Sequence, residues 1–153
     1  MSGFVVRIAR ADDAAAFGLL RLVWAAENGA DTADPGFAER LTSWFAAETS
    51  HRVFWLAEAG DEAVGMVNLT LFTRMPYPAS VDLPTAWGYL ANLFVRPAER
   101  GRGIGAALIG ACTTYAEDHR LARIVLSPSP ASTPLYRRAG FSAADTLMVR
   151  TFG

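Results

Sequence analysis

The sequence predicts one mixed α/β domain, and three observations carry that prediction. Two runs of strand-forming residues, 53–57 and 63–72, flank Gly60-Asp61, which is hairpin-turn chemistry and implies an antiparallel pair. The strand-like run 87–95 is followed by a glycine turn, an apolar helical stripe and the short run 122–126. A right-handed crossover must then lay those two strands parallel. A chain of 153 residues suits a single domain that buries roughly two-thirds of the surface its unfolded form exposes.

Residues 4–9 are expected as a first strand. Asp12 and Asp13 then stand where acidic caps start a helix that carries Phe17, Leu20 and Trp24 on one face, weakened slightly by Gly18. After a polar loop at 27–33, Asp34 as cap and Pro35 as first residue open a second helix, with Phe37, Leu41, Trp44 and Phe45 at helical spacing before His51. Residues 74–85 hold Pro76, Pro78 and Pro84, too many for a sheet, so they form a loop ahead of strand 87–95. The helix at 107–117 presents Ile104, Leu108, Ala111, Cys112 and Tyr115 as one stripe. Ser127-Pro128-Ser129-Pro130 ends strand 122–126, a short helix through Leu135 and Tyr136 stops near Gly140, and residues 146–152 are expected as a last strand.

Hydrophobic residues make up 52% and charged residues 19%, which favours folding over disorder, and no apolar run nears the roughly twenty residues of a membrane span. The start Met1-Ser2-Gly3-Phe4-Val5-Val6-Arg7 lacks the features of an export leader, so a cytoplasmic location is expected. A formal net charge of −1 argues against nucleic acid and acidic membrane as partners. One cysteine, Cys112, excludes an internal disulfide, and with only His51 and His119 no metal site is expected.

The stretch Arg100-Gly101-Arg102-Gly103-Ile104-Gly105-Ala106 follows Leu90-Ala91-Asn92-Leu93-Phe94-Val95 and opens a helix. Three glycines leave backbone N–H groups uncovered, and the helix start adds unpaired amides and a positive dipole end. Such a place binds phosphate. Arg100, Gly103 and Gly105 match the signature Arg/Gln, two residues, Gly, one residue, Gly/Ala, and Leu135-Tyr136-Arg137-Arg138-Ala139-Gly140-Phe141 matches a Leu-Tyr-three residues-Gly-Phe ending downstream. On these two motifs the chain resembles the GNAT superfamily of acyl-CoA-dependent N-acetyltransferases over most of its length.

The resemblance implies a mainly antiparallel sheet with helices on both faces and a splayed parallel pair, 87–95 with 122–126, that admits pantetheine. It implies that main-chain groups of Leu93, Phe94 and Val95 meet the pantetheine, and that Arg100, Gly101, Arg102, Gly103, Ile104, Gly105 and Ala106 hold the pyrophosphate of acetyl-CoA. It implies further that Tyr136 gives a proton to the departing thiolate, and that a homodimer is within the family's range. The chain departs from the pattern twice. Ser129 stands where many relatives bond the pantetheine through Asn, with Ser132 in place of a frequent Ala, and strand 87–95 holds no carboxylate to serve as base.

Acyl transfer needs a neutral amine, a donor for the developing oxyanion and an acid for the thiolate. Asn92 cannot accept the amine's proton but its amide can orient a water that does, against ordinary strand packing; Asp82 is the other candidate base, against simple solvation. Arg96 and Arg137 are weighed for the ribose 3′-phosphate against plain surface roles, and Glu27, Asp31 and Asp34 for steering a cationic amine against a solvated loop. Met75, Tyr77 and Trp87 are candidates to wall the acceptor side. Cys112 on an apolar stripe reads as an inert thiol before an acyl relay, and both histidines read as helix-end residues. The expected reaction is direct attack by a primary amine, a small molecule before a protein, on acetyl-CoA. Two alternatives stand beside it: a non-catalytic acyl-CoA sensor on the same fold, and a nicotinamide enzyme, since Gly101, Gly103 and Ala106 also fit G-x-G-x-x-A. The second lacks an early position and an acid ending the next strand.

Overall fold

The computed structural model describes residues 3–79 and 81–153. Five strands, β1 (Val5–Ile8), β2 (Arg52–Ala59), β3 (Glu62–Thr73), β4 (Ala86–Val95) and β5 (Ile124–Val125), form one sheet in sequence order. The first four pair antiparallel and β5 runs parallel to β4. The mixed sheet, the Gly60-Asp61 hairpin with Gly60 at φ +62°, and the parallel crossover all match expectation.

Helices cover both faces because the strands alternate. Phe54 and Leu56 of β2 join Phe17, Leu20 and Phe45 from α1 (Ala14–Glu27) and α2 (Phe37–Glu48), whereas Trp55 and Ala57 join Ile104, Leu108 and Cys112 from α3 (Ile104–Asp118). The last helix, α4 (Thr133–Arg138), packs on α3. A Cβ on Gly65 would stand 3.1–3.2 Å from Leu108, Ile104 and the Phe94 carbonyl, so this glycine lets α3 lie close on the sheet.

Three boundaries differ from expectation, each for a local reason. Helix α2 is capped by Gly36, not Asp34, because the Asp34 carboxylate is engaged by Arg40 and its carbonyl accepts the Phe37 N–H at 3.1 Å, closing a turn first. Strand β5 pairs only at Ile124 and Val125. Residues 146–152 form no strand: Leu147, Met148 and Val149 stand in a row without the alternation that would bury one face, and they and Phe152 are exposed.

Asp13 does not cap α1 through its side chain. Its carboxylate instead accepts the Arg10 N–H at 2.5 Å and both Arg7 terminal nitrogens at 2.8 and 2.9 Å, while Arg7 Nε donates to Glu58 at 2.6 Å. One guanidinium thus ties β1, β2 and the entry to α1. Its hydrogen bonds hold the Asp13 carboxyl below its ordinary value of 3.8. The stability it supplies is therefore present above pH 4 and lost as pH falls below it. Asp13→Ala is expected to cost about 2 kcal/mol at pH 7, and urea melts of parent and variant should converge as pH falls through the carboxyl's lowered value in the folded state.

Candidate active site

The site begins with an irregularity in β4. Met66 pairs with Phe94 and Asn68 with Ala91, so Asn92 and Leu93 together stand opposite Val67. This is a β-bulge, and Asn92 takes φ +58°, a conformation Asn tolerates better than most residues. The extra residue reverses the alternation: Leu90 faces the α3 core, while Phe94, four residues on, faces α1 and lies flat on Trp24 at 5.3 Å. On the other edge, β4 pairs with β5 only at Gly88 and Tyr89. Beyond Tyr89, whose hydroxyl reaches Ser127 Oγ at 3.0 Å, the edge of β4 from Leu90 to Val95 pairs with no strand among the described residues. A free edge can accept an extended amide chain as one more strand.

The glycine turn lies at the end of that edge. Gly101 and Gly103 adopt φ +81° and +82°, and Gly103 caps α3 in the left-handed conformation. The first helical bond runs from Ala107 N–H to Gly103 O at 3.0 Å, which leaves the N–H groups of Gly103, Ile104, Gly105 and Ala106 without a backbone acceptor. These donors and a dipole end stand beside Gly101 and Gly103, where no described atom lies within 4 Å of an added Cβ, an arrangement that suits an anion. Ile104 is buried in the core and offers only its amide.

Tyr136 is set by the end of α4. Phe141 N–H bonds Tyr136 O and Gly140 N–H bonds Arg137 O, both at 3.0 Å, with Gly140 at φ +98°. This is a Schellman cap, and its characteristic apolar contact is the Tyr136–Phe141 ring pair at 5.8 Å. The Tyr-three residues-Gly-Phe spacing is therefore a device that stops the helix and fixes the tyrosine. Tyr136 is 7% exposed, and burial pushes its phenol up to about 12, so it holds its proton throughout the neutral range.

A cavity of about 320 Å³ lies between α1, α2 and the sheet on the far side of the bulge. Its walls are apolar, chiefly Phe17, Leu41, Trp44 and Phe54, and its polar groups are Arg21, Arg40, Asn68 and Asn92. Asn92 Oδ1 accepts from Asn68 Nδ2 at 2.9 Å, and Asn68 Oδ1 accepts from Arg52 at 2.9 Å.

The strand edge runs into the glycine-lined helix start, α4 with its capped tyrosine packs on α3, and a cavity lies across β4. The family model for the GNAT acetyltransferases matches residues 10–141. The chain belongs to that family. It is an acyl-CoA-dependent N-acetyltransferase. A GCN5-related N-acetyltransferase from Ralstonia eutropha JMP134 is 27% identical, with 98% of this chain and 99% of that one covered and a TM-score of 0.77. A predicted acetyltransferase from Clostridium acetobutylicum, solved with acetyl-CoA, is 20% identical over 97% and 96% at 0.78. Glucosamine-6-phosphate N-acetyltransferase from Arabidopsis thaliana is 15% identical over 99% of both chains at 0.75. Among curated proteins, none matches this chain in sequence.

Several expected site residues of this acetyltransferase stand elsewhere than the sequence suggested. Arg100 turns its side chain from the glycine turn: it grips Glu27 with two bonds of 2.8 Å and donates Nε to Val95 O at 3.0 Å, and its own N–H bonds Pro97 O at 3.4 Å. Arg96 donates to Ala63 O at 2.8 Å, and Arg102 pairs with Glu99. Ser129 Oγ lies 2.9 Å from Ser132 Oγ at the entry to α4.

Two of the three acids of the loop are matched by a cation, Glu27 by Arg100 and Asp34 by Arg40, while Asp31 accepts the Ala33 N–H at 2.9 Å and keeps its charge. Asp82, Met75, Tyr77 and Trp87 do not line the cavity. Trp87 stacks on Phe72 at 4.6 Å at the far end of β4, and Met75 and Tyr77 are exposed. Cys112 is fully buried and burial raises its thiol to about 12, which denies it a thiolate at neutral pH. His51 faces Glu48 at 3.2 Å and His119 lies 3.0 Å from Tyr115 O, both at helix ends as expected.

Arg21, Arg40 and Asn68 are the cavity residues that reading the sequence missed. Arg21 had a signal, since it falls four residues after Phe17 on the same helical face. Asn68 also had one, as a polar residue inside an otherwise apolar strand.

Proposed function

We propose that this enzyme moves the acetyl group of acetyl-CoA onto a primary amine of a small molecule by direct attack, without a covalent acyl-enzyme. The observation that carries this reading is the junction of four unpartnered helix-start amides with the free edge of β4. The main chain from Gly101 to Ala106 would hold the diphosphate, Gly101 and Arg102 included, while the Arg100 N–H is taken by Pro97 O. The main chain of Leu93, Phe94 and Val95 would receive the pantetheine as a strand; Phe94 keeps its ring in the α1 core, and Val95 O retains one lone pair beside its bond to Arg100. Ser129 would offer its hydroxyl to the same arm.

The amine nitrogen attacks the thioester carbon, the C–N bond forms, the C–S bond breaks, and the nitrogen's proton passes to water. Asn92 is assigned to orient that water, its Nδ2 being the amide group not used by Asn68. Tyr136 is assigned to donate its proton to the departing thiolate; burial keeps the phenol protonated until then, and the phenolate left behind takes a proton back from water. Holding both substrates in line supplies several kcal/mol of the lowered barrier. No described helix is long and apolar enough to cross a membrane. We place the enzyme in the cytoplasm, as a monomer or homodimer without a nucleic-acid partner, in keeping with the net charge of −1.

A thiol-detection assay with acetyl-CoA and a panel of amines tests the reading. One thiol should appear per acetyl group found on the amine. Saturable coenzyme binding with no amine-stimulated thiol in any arm would instead support a sensor.

A further inference from the structure

The cavity across β4 carries information about the acceptor that the family does not supply. Among the described residues that line it there is no carboxylate, imidazole or thiol, while two guanidinium groups, Arg21 and Arg40, stand at it. Arg40 shares its charge with Asp34. Arg21 does not: its guanidinium lies 4.7 Å from the Trp24 ring centre, and among the described residues no acid comes within ion-pair distance of it. A cation–π contact fixes a guanidinium without cancelling its charge. Trp24 is itself held flat against Phe94, so Arg21 is placed by a two-ring stack that reaches β4.

The amides at the cavity floor point the same way. Arg52 can only donate, so its 2.9 Å bond makes the near atom of Asn68 the carbonyl oxygen. Asn68 must then turn its NH₂ to Asn92, whose Oδ1 accepts at 2.9 Å. The polar group Asn92 keeps for an occupant is its own NH₂. The charge of Arg52 is answered by Glu48 at 2.6 Å, which leaves Arg21 as the uncompensated cation. Guanidinium and amide N–H groups therefore face a pocket whose remaining walls, Phe17, Leu41, Trp44 and Phe54, are apolar.

We propose that the acceptor is a small anionic amine, with an apolar body against the aromatic wall and a carboxylate or phosphate paired with Arg21. This inference rests on the acetyltransferase reading of the site and narrows it to a substrate class. The volume of about 320 Å³ is at the lower end for ligand cavities and suits a single amino acid rather than a peptide or an oligosaccharide. A polyamine would bring ammonium groups against Arg21 with nothing to offset them.

The test compares acceptors that differ only in the anion: phenylalanine, phenylalaninamide and phenethylamine, the same series on the leucine framework, 2-aminoethyl phosphate, and spermidine. Thiol release with acetyl-CoA should give phenylalanine or leucine, or the phosphate, a kcat/KM at least about tenfold above the uncharged and cationic amines, as for one charge-assisted hydrogen bond. A lead for the amino acids names carboxylate as the anion, and a lead for 2-aminoethyl phosphate names phosphate. Arg21→Gln should erase the lead through KM, Arg21→Lys should restore part of it, and neither should change coenzyme binding measured by calorimetry. Equal or better use of phenethylamine or spermidine, or a lead that survives Arg21→Gln, overturns the inference and leaves the acetyltransferase reading standing. Coenzyme binding with no thiol release from any amine overturns both.

Discussion

Replacing Tyr136 with Phe is expected to lower kcat by about a hundredfold, the lower end of what a positioned proton donor contributes, while the Kd for coenzyme A stays the same. The two halves of that expectation come from different parts of the side chain. The ring makes the 5.8 Å contact with Phe141 that completes the cap of α4, and Phe keeps it. The hydroxyl has no hydrogen-bond partner among the described residues, so deleting it leaves no orphan group in the fold. A thermal midpoint close to the parent's is expected for the same reason.

The pH dependence separates this role from a packing role. With the phenol pushed up to about 12, neither parent nor variant titrates this group between pH 6 and 9. The two profiles should therefore be parallel on a logarithmic scale, displaced by the lost donor. Thiol release at saturating acetyl-CoA and amine gives the number directly. A kcat within about twofold of the parent at every pH would remove Tyr136 from the chemistry.

The parts of the fold that the sequence made legible are those ruled by local chemistry. Gly60-Asp61 forces a hairpin, the two positive-φ glycines at 101 and 103 force a turn, and Tyr136, Gly140 and Phe141 are spaced for one kind of helix end. Long-range pairings were not legible. Nothing near Arg100 says that its guanidinium will cross to Glu27, 73 residues away, rather than face a phosphate. The same holds for Asn68 and Asn92, which meet only because β3 and β4 pair and Asn92, in the bulge, follows Ala91, the register partner of Asn68. The last strand was lost because residues 146–152 offer strand-forming types without alternation: Leu147, Met148 and Val149 stand in a row, and all three are exposed. Charge read from composition misled for a related reason: Glu27 and Asp34 of the α1–α2 loop are matched by Arg100 and Arg40, and an unmatched cation, Arg21, stands at the cavity.

Gly103→Ala is expected to raise the Kd for coenzyme A about tenfold, whereas Gly105→Ala, two residues along the same motif, should change it little. Gly103 sits at φ +82°, where an L-residue with a Cβ costs about 1–2 kcal/mol, and 1.4 kcal/mol is tenfold in affinity. A Cβ there meets no atom within 4 Å, so the penalty is conformational and not a clash. The chain relieves it by moving φ to negative values, which swings the amides of Ile104, Gly105 and Ala106 out of convergence. Gly105 has no positive φ, and its added Cβ would stand 3.3 Å from Leu135 Cδ2, the movable tip of a side chain. Gly103→Asn is the discriminating third variant, because Asn enters the left-handed region more readily than Ala and should recover part of the affinity. Calorimetric titration of the three variants with coenzyme A, alongside thermal melts, separates loss of the turn from loss of the fold. Equal affinities for Gly103→Ala and Gly105→Ala would mean that the left-handed turn does not shape the anion site. The diphosphate would then have to be held by side chains, with Arg102 the first to test by charge removal.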